Sequence, residues 1–267
     1  MFIGRLVVGT MAHPSRVRRF MLTPIIEEAL RTTFQRWIAA TDQRICDLAL
    51  EYDLDKAISE KIEYVGYISE AISQDRIAAA RTERGLTAGA KWIVCSAGGG
   101  ALGEQVIQKV SKAVGELDKV FVDVVQGPLS ALPWPSSLMS TIESGRLRLH
   151  RETKNLPLMH AAADIVVCTG GYNSLTETME GGAEIIAVPV QLEPKDEQYL
   201  HATKLARHYP ITVVGKLNHL ERALDAALGA SREKATIRES GILNFNGISN
   251  SRDVILSYVP RHRDNKA

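Results

Sequence analysis

The chain has 267 residues, of which 45% are hydrophobic and 24% are charged. Its 32 lysines and arginines nearly balance 31 aspartates and glutamates, so no global field draws the protein towards nucleic acid. Three separated cysteines, Cys46, Cys95 and Cys168, argue against a disulfide framework, and no apolar run approaches the roughly 18 residues that a membrane span needs. We therefore expect a cytoplasmic protein.

Residues 1–87 form the first region of the chain. They contain two stretches with helical patterning, near residues 24–39 and 69–84, and one convincing strand near residues 61–68. So few strands cannot complete an open α/β domain. We therefore predict that residues 1–87 are the remnant of a further domain together with a linker.

From residue 88 onward, short apolar runs alternate regularly with amphipathic stretches. This alternation predicts βαβ units on a parallel sheet, with strands that are apolar on both faces because helices cover them. We predict a doubly wound, Rossmann-like α/β domain over residues 88–260, followed by a tail at 261–267. The predicted strands lie near residues 92–96, 119–125, 147–150, 164–168, 184–189 and 211–214.

A glycine-rich turn follows the first of these strands, after Ser96, and contains Gly98, Gly99, Gly100 and Gly103. Glycines let the backbone approach a phosphate, and the start of the following helix offers free N–H groups. The alternative is a tightly packed turn that binds no ligand.

The spacing of Gly98, Gly100 and Gly103 also matches the GxGxxG pattern of dinucleotide-binding folds. That pattern requires an acidic residue at the end of the next strand, where it would bind ribose. Asp123 has the right separation but lies inside the predicted strand, and Gln126 occupies its end. An NAD-dependent oxidoreductase is therefore the weaker interpretation.

A second glycine turn follows the strand near 164–168 and contains Gly170 and Gly171, then Asn173, Ser174 and Glu177. Backbone N–H groups at this helix start suit a diphosphate. The Glu177 carboxylate, one turn into the helix, could accept hydrogen bonds from both hydroxyls of a ribose.

Two features of this helix start leave its role open. The hydroxyls of Ser174 and Thr176 could add donors for the diphosphate. Ser174 to Glu177 also reads as a capping box, in which the glutamate merely satisfies the end of the helix.

The third turn precedes a helix that begins near Asp196, Glu197 and Gln198. The two acids could simply complement the helix dipole. The Gln198 amide suits a sugar hydroxyl, because both groups donate and accept hydrogen bonds.

The order of these motifs resembles the C-terminal domain of family 28 glycosyltransferases, the MurG type, which adds N-acetylglucosamine to a lipid-linked acceptor. The closest resemblance is to an uncharacterised bacterial branch of predicted glycosyltransferases. It covers roughly residues 60–210 well. The matching residues are Asp164-Ile-Val-Val, Gly170-Gly-Tyr-Asn-Ser-Leu-Thr-Glu177, Pro189, Asp196-Glu-Gln198 and Ala202.

The resemblance implies a GT-B glycosyltransferase of which this chain supplies the C-terminal, donor-binding half. It implies that Glu177 holds the ribose and that Gln198, with Glu197, holds the donor sugar. The loop 150–156 would contact uracil through backbone groups. His201 stands where the family usually has asparagine. The residues implied to face the diphosphate are Gly170, Gly171, Asn173 and Ser174, with the glycine turn at 98–103 as the family's first C-domain loop.

The implied reaction is an inverting transfer of a hexose or N-acetylhexosamine from a UDP-sugar to an acceptor hydroxyl. No cofactor is implied, and we identify no Asp-x-Asp tract that would bind a divalent ion. A general base must still take the acceptor proton. The family supplies it from its N-terminal domain, so the catalytic residue stays unassigned; His13 is the one histidine before His150.

Several alternatives stay open. The chain could be an inactive fragment, a UDP-sugar-binding subunit that pairs with a separate acceptor-binding chain, or a self-associating protein. A UDP-sugar epimerase shares the expected fold but needs acid/base carboxylates that we do not find. The final helix, near residues 250–258, either returns to the N-terminal part or packs on the larger sheet. Peripheral membrane association is equally open.

Overall fold

The computed structural model describes residues 2–4, 22–96, 101–114, 119–127, 139–189, 197–230 and 241–258. The chain divides into two compact units. The smaller unit contains the described residues up to Ser69 and those from Leu243 onward, and the larger unit runs from Glu70 to Ile242. No helix in the described ranges is long and apolar enough to cross a membrane.

The smaller unit is built on a three-stranded parallel sheet with strand order β1-β2-β3. The sequence predicted only the third strand, and it predicted helix through Trp37–Ala39. That prediction was wrong, because these three buried residues form the central strand. The strands are β1 (Phe2–Gly4), β2 (Trp37–Ala39) and β3 (Ile62–Tyr64), and the helices before β3 are α1 (Pro24–Thr32), α2 (Leu48–Glu51) and α3 (Lys56–Ser59).

Two charged side chains fasten these short helices to one another. Lys61 Nζ donates to the carbonyl oxygens of Leu30 and Phe34, at 2.8 and 2.9 Å, and so closes the end of α1. Asp55 accepts from the N–H of Ile58 and thereby caps α3, while it also pairs with Arg31. The expectation that the chain has no Asp-x-Asp tract was wrong, since Asp53-Leu-Asp55 is one. Its Asp55 has this structural role.

The C-terminal segment belongs to the smaller unit, and its described part contains helix α11 (Gly247–Ser257). Tyr67 donates its N–H to the Asn244 carbonyl oxygen at 2.8 Å and accepts from the N–H of Gly247 at 3.1 Å. The Asn250 side chain donates to the Val65 carbonyl oxygen. Helix α11 therefore packs with the N-terminal part of the chain, as one of the two alternatives expected.

The larger unit contains six parallel strands in the order β6-β5-β4-β7-β8-β9, so the predicted doubly wound, parallel α/β fold is confirmed. This is the strand order of dinucleotide-binding Rossmann folds, which reverses between the first and fourth strands of the domain. The strands are β4 (Lys91–Ser96), β5 (Val120–Val125), β6 (Leu147–His150), β7 (Ile165–Cys168), β8 (Glu184–Ala187) and β9 (Ile211–Val213).

Seven helices lie in the described part of the larger unit, and the sheet is the centre of its core. Strand β7 is buried at every position, as expected for a parallel strand covered on both faces. The free thiols of Cys95 and Cys168 are buried within this core. The helices are α4 (Gln74–Arg84), α5 (Ala101–Val114), α6 (Met139–Glu143), α7 (Leu156–Ala162), α8 (Tyr172–Gly181), α9 (Glu197–Leu205) and α10 (Leu220–Gly229).

Helix α4 is attached to the larger unit by two arginines. Arg81 donates to the Ala162 carbonyl oxygen at 2.7 Å and to Asp164 at 3.1 Å, and Arg84 forms a buried ion pair with Asp123. The boundary therefore lies between Ser69 and Glu70, whereas we predicted it after residue 87. The second predicted boundary, after residue 260, also differs, since the chain rejoins the smaller unit at Leu243.

Helices α7 and α8 pack against each other without room for a side chain at Gly181. A Cβ atom at this position would overlap the carbonyl oxygen and backbone of Ala161. We expect Gly181→Ala to lower the free energy of unfolding by about 1–3 kcal/mol, since overpacking moves backbone.

Gly229→Ala is the matched control for that change, and urea unfolding of both variants is the measurement. At Gly229 an added Cβ meets no heavy atom of the described residues within 4 Å. Its free energy of unfolding should stay within about 1 kcal/mol of wild type, on the stabilising side. Equal stability of the two variants would contradict the close helix contact.

Candidate functional site

The two glycine turns leave the sheet at neighbouring points. Strands β4 and β7 pair directly, and Ser96 at the end of β4 lies opposite Cys168 at the end of β7. The strand order reverses between these two strands. Open α/β sheets bind ligands in the crevice beyond such a switch point.

The first glycine turn is described only at its two ends. Gly98, Gly99 and Gly100, predicted to contact the donor, lie outside the described residues. Gly103 is buried in the first turn of α5. Its predicted contact with the donor stays a prediction.

The second glycine turn begins helix α8 without help from a side chain. Gly170 has a φ of +74°, a conformation that favours glycine. Gly171 is the N-cap residue, and no side chain of the described residues caps the helix. The first N–H groups of a helix have no partner inside it, and at this helix start they lie beside Asn173, which is exposed, and Ser174, which is half-buried.

The capping-box alternative is wrong. Because the helix begins at Tyr172, Ser174 is its third residue and Glu177 lies in its second turn, beyond the reach of the orphan N–H groups. The expectation for Thr176 was also wrong. Its buried hydroxyl donates to the Tyr172 and Asn173 carbonyl oxygens, at 3.0 and 3.1 Å, so it does not face a ligand.

Glu177 instead takes part in a line of three polar side chains. Its Oε2 lies 3.0 Å from His160 Nδ1, and His160 Nε2 lies 2.8 Å from Ser96 Oγ. The Glu177 side chain keeps 24% of its surface exposed while that of His160 is fully buried. The sequence analysis did not identify His160, because a single histidine in an apolar Leu-Met-His-Ala-Ala stretch does not indicate which distant side chains it will contact.

Gln198, in the first turn of α9, lies close to the glycine pair. A Cβ on Gly170 would lie 3.6 Å from the Gln198 carbonyl oxygen, so the start of α9 lies close to the second glycine turn. Gln198 Oε1 is buried and has no hydrogen-bond partner among the described residues. Glu197 is the first residue of α9, and Asp196 lies outside the described residues.

His201, where the resemblance led us to expect asparagine, is a buried packing residue. Its ring stacks on that of Tyr172, with centroids 6.2 Å apart and planes 8° apart. Burial, aided by the positive charge of Lys204, lowers the pKa of His201 to about 4. The imidazole is therefore neutral near pH 7 and joins α9 to the start of α8.

Asp123 is held by protein partners and is not available to a dinucleotide ribose. It accepts from Trp92 Nε1 at 2.8 Å and lies 2.6 Å from His150 Nε2, besides its ion pair with Arg84. Burial raises the pKa of Asp123, but the hydrogen bond from His150 and the charge of Arg84 outweigh burial and lower it. The GxGxxG interpretation thus lacks its acidic residue.

Two kinds of comparison place this geometry among known proteins. Residues 144–240 match the glycosyltransferase family 28 C-terminal domain, which includes Gly170, Gly171, Glu177 and Gln198. No curated protein matches the chain in sequence. The finer resemblance to a bacterial branch stays a prediction.

Several solved structures share the fold at low sequence identity. The glycotransferase of kitacinnamycin is 13% identical over 85% of this chain and 55% of its own, with a TM-score of 0.58. UGT89C1 of Arabidopsis thaliana, complexed with UDP, is 14% identical over 96% of this chain and 66% of its own, with a TM-score of 0.60. A UDP-N-acetylglucosamine 2-epimerase is 12% identical over 94% of this chain and 65% of its own, with a TM-score of 0.53.

This chain therefore spans between about half and two thirds of the length of these similar structures. At such identities the likeness shows the fold alone, whereas the family match covers the second and third turns. Residues 144–240 thus match the glycosyltransferase family 28 C-terminal domain, and the fold of the chain is similar to that of solved glycosyltransferases.

Proposed function

We propose that this chain binds a UDP-sugar in the crevice beyond the carboxyl ends of β4 and β7 and supplies the donor site of a glycosyltransferase. The observation that carries the proposal is the position of Glu177. Its partly exposed carboxylate lies in the second turn of α8. This helix begins directly after Gly170 and Gly171, next to the point where the strand order reverses. A carboxylate there can accept hydrogen bonds from a ribose 2′,3′-diol.

The start of α8 supports binding of the diphosphate. Its N–H groups carry no side-chain cap among the described residues, and the positive end of the helix dipole favours an anion. Ser174, in the first turn, could add a hydroxyl donor. The same donors would stabilise the charge that develops on the departing UDP, a contribution of the oxyanion-hole type.

Gln198 supports binding of the donor sugar. A buried amide oxygen without a partner costs stability, and Oε1 of Gln198 is such an atom among the described residues. A hexose or N-acetylhexosamine hydroxyl would satisfy it. Glu197, the residue before Gln198, would be the second contact with the sugar.

The proposed reaction is inverting and needs no metal ion: an acceptor hydroxyl attacks the anomeric carbon and UDP departs. The step requires a general base. Because the chain spans about half the length of the kitacinnamycin enzyme, we propose that the acceptor site and this base come from a domain beyond these 267 residues, from a separate acceptor-binding chain or from self-association.

Thermal unfolding with UDP, UDP-N-acetylglucosamine, GDP or NAD tests the donor site. A ligand at 100 times its Kd stabilises a protein by about 2.7 kcal/mol, which is about 5–10 °C in Tm for a domain of this size. We expect this shift with the two uridine nucleotides for wild type and its loss in Glu177→Ala.

Glu221→Ala is the control for that experiment, because Glu221 of α10 forms a surface pair with Lys109 of α5 and is 56% exposed. This variant should keep the full uridine-selective shift. A shift with NAD alone, or none with UDP, would contradict the proposal. Interconversion of the UDP-sugar at C2 without any acceptor would instead identify an epimerase, whose fold the chain shares.

A further inference from the structure

We propose that His160 is a positioning residue that holds the Glu177 carboxylate in the orientation required by a ribose diol. The inference rests on the proposed function and adds to it a selection for ribonucleoside over deoxyribonucleoside diphosphates. Its structural basis is the line Ser96–His160–Glu177, which joins the base of the first glycine turn to the second turn of α8.

The side chains at the two ends of this line determine which atom donates in each hydrogen bond. A carboxylate oxygen can only accept, so His160 Nδ1 carries the proton and donates to Glu177 Oε2. In the neutral imidazole, Nε2 is then an acceptor, and the Ser96 hydroxyl donates to it. One tautomer satisfies both bonds and leaves Oε1 of Glu177 to a ligand.

The same connectivity occurs in Ser-His-acid hydrolases, but the exposure here runs in the opposite order. In those enzymes the serine meets the substrate and the acid is buried behind the histidine. Here Ser96 is 9% exposed and His160 fully buried, while Glu177 is the most exposed of the three at 24%. The end of the line that meets a ligand is therefore the carboxylate, and serine is the anchor.

The backbone around His160 is held firmly enough for this role. His160 lies in α7, whose Ala161 packs directly against the backbone of Gly181 in α8. Arg81 also binds the carbonyl oxygen of Ala162. The imidazole therefore has little freedom relative to the helix that carries Glu177, and a positioned carboxylate loses less entropy when it binds.

Two amide replacements separate the two hydrogen bonds of His160. His160→Asn places an amide near the former Nδ1 and can still donate to Glu177. His160→Gln reaches the former Nε2 and Ser96, but has no donor at the Nδ1 position. Both remove the same buried ring, so each controls for the packing loss of the other.

The experiment measures binding of UDP and of 2′,3′-dideoxyuridine 5′-diphosphate to the purified chain by calorimetry. Wild type should bind UDP about tenfold or more tightly, because only UDP offers hydroxyls to a carboxylate. His160→Asn should keep this preference, and His160→Gln should reduce it to about threefold or less. If His160 had only a structural role, His160→Gln would weaken the binding of both nucleotides equally and leave the ratio of their affinities unchanged.

Three outcomes overturn the inference. If the ratio of the two affinities is unchanged in His160→Gln while Glu177→Ala abolishes the preference for UDP, the inference is overturned and the proposed function stands. An equal fall of this affinity ratio in His160→Asn and His160→Gln also overturns the inference. Absence of UDP binding by wild type overturns the proposed function and the inference together.

If neither amide variant folds, Ser96→Ala provides the same test. It removes the hydrogen bond that anchors Nε2, so the imidazole is held less firmly against Glu177, and the UDP preference should fall about two- to threefold. Retention of the full preference in Ser96→Ala would then overturn the inference.

Discussion

Replacement of Arg84 by methionine is expected to lower the free energy of unfolding by about 3–5 kcal/mol, because it leaves the Asp123 carboxylate buried without its cation. Both side chains are almost fully buried, at 3% and 2% exposure. The guanidinium also donates to the carbonyl oxygens of Gly145, Val122 and Arg146, at 2.9, 3.2 and 2.8 Å. Those acceptors would lose their partner at the same time.

Urea unfolding of wild type, Arg84→Met, Asp123→Asn and the double variant measures this effect. The double variant should be more stable than the sum of the two single losses predicts, since no charge is then left unpaired. Arg76→Met is the control, because Arg76 is exposed on the same helix, and its effect should stay within about 0.5 kcal/mol. A loss from Arg84→Met as small as this control would contradict a buried ion pair.

The same pair predicts the direction of a pH effect. The folded-state pKa of Asp123 lies below its ordinary value, so the carboxylate adds stability above the unfolded carboxyl pKa of about 3.9. This stability is lost as the pH falls from there towards the lower folded pKa. Asp123→Asn should therefore be less sensitive to acid below pH about 4 than wild type is.

Phe245→Ala is expected to destabilise the smaller unit by about 3–5 kcal/mol, the usual cost of truncating a buried phenylalanine. Phe245 is 3% exposed, and its ring lies 5.4 Å from the ring of Tyr67. The adjacent backbone bonds of Tyr67 with Asn244 and Gly247 depend on this packing. Their loss would detach the C-terminal segment from β3 and its neighbours.

Hydrogen exchange followed by mass spectrometry checks this prediction by region. The peptides that contain Tyr67, Gly247 and β2 should lose protection in Phe245→Ala, whereas those of β4 and β7 should change little. Leu256→Ala is the control, because Leu256 is 58% exposed and its truncation should leave protection near wild type. Unchanged protection around Tyr67 in Phe245→Ala would show that the segment does not stabilise the smaller unit.

The sequence predicted the larger sheet well and the smaller unit poorly, for a physical reason. Strands such as Ile165–Cys168 are continuous apolar runs because helices cover both of their faces, so composition alone marks them. Strand Trp37–Ala39 is only three residues long. Its conformation is decided by pairing with β1 and β3, which sequence patterning near it does not reveal.

The candidate site was predicted in part. Glycines in turns, followed by Glu177 and Gln198, are local features, and their spacing along the chain is enough to mark them. The choice between a capping box and a ligand contact depends on where α8 begins, and only the fold shows Gly171 as its N-cap. The unpartnered oxygen of Gln198 is equally a property of its described surroundings.

By itself, the sequence determined the α/β class, the strands of the larger unit and the three turns at which a UDP-sugar is proposed to bind, because hydrophobic periodicity and glycine placement are local constraints. The tertiary structure alone decided what the polar side chains contact. His160 meets Glu177 across 17 residues and Ser96 across 64, Arg84 meets Asp123 across 39, and the C-terminal segment returns to Tyr67. Such pairs form because packed helices and parallel strands bring distant positions together, and no local pattern records which positions will meet.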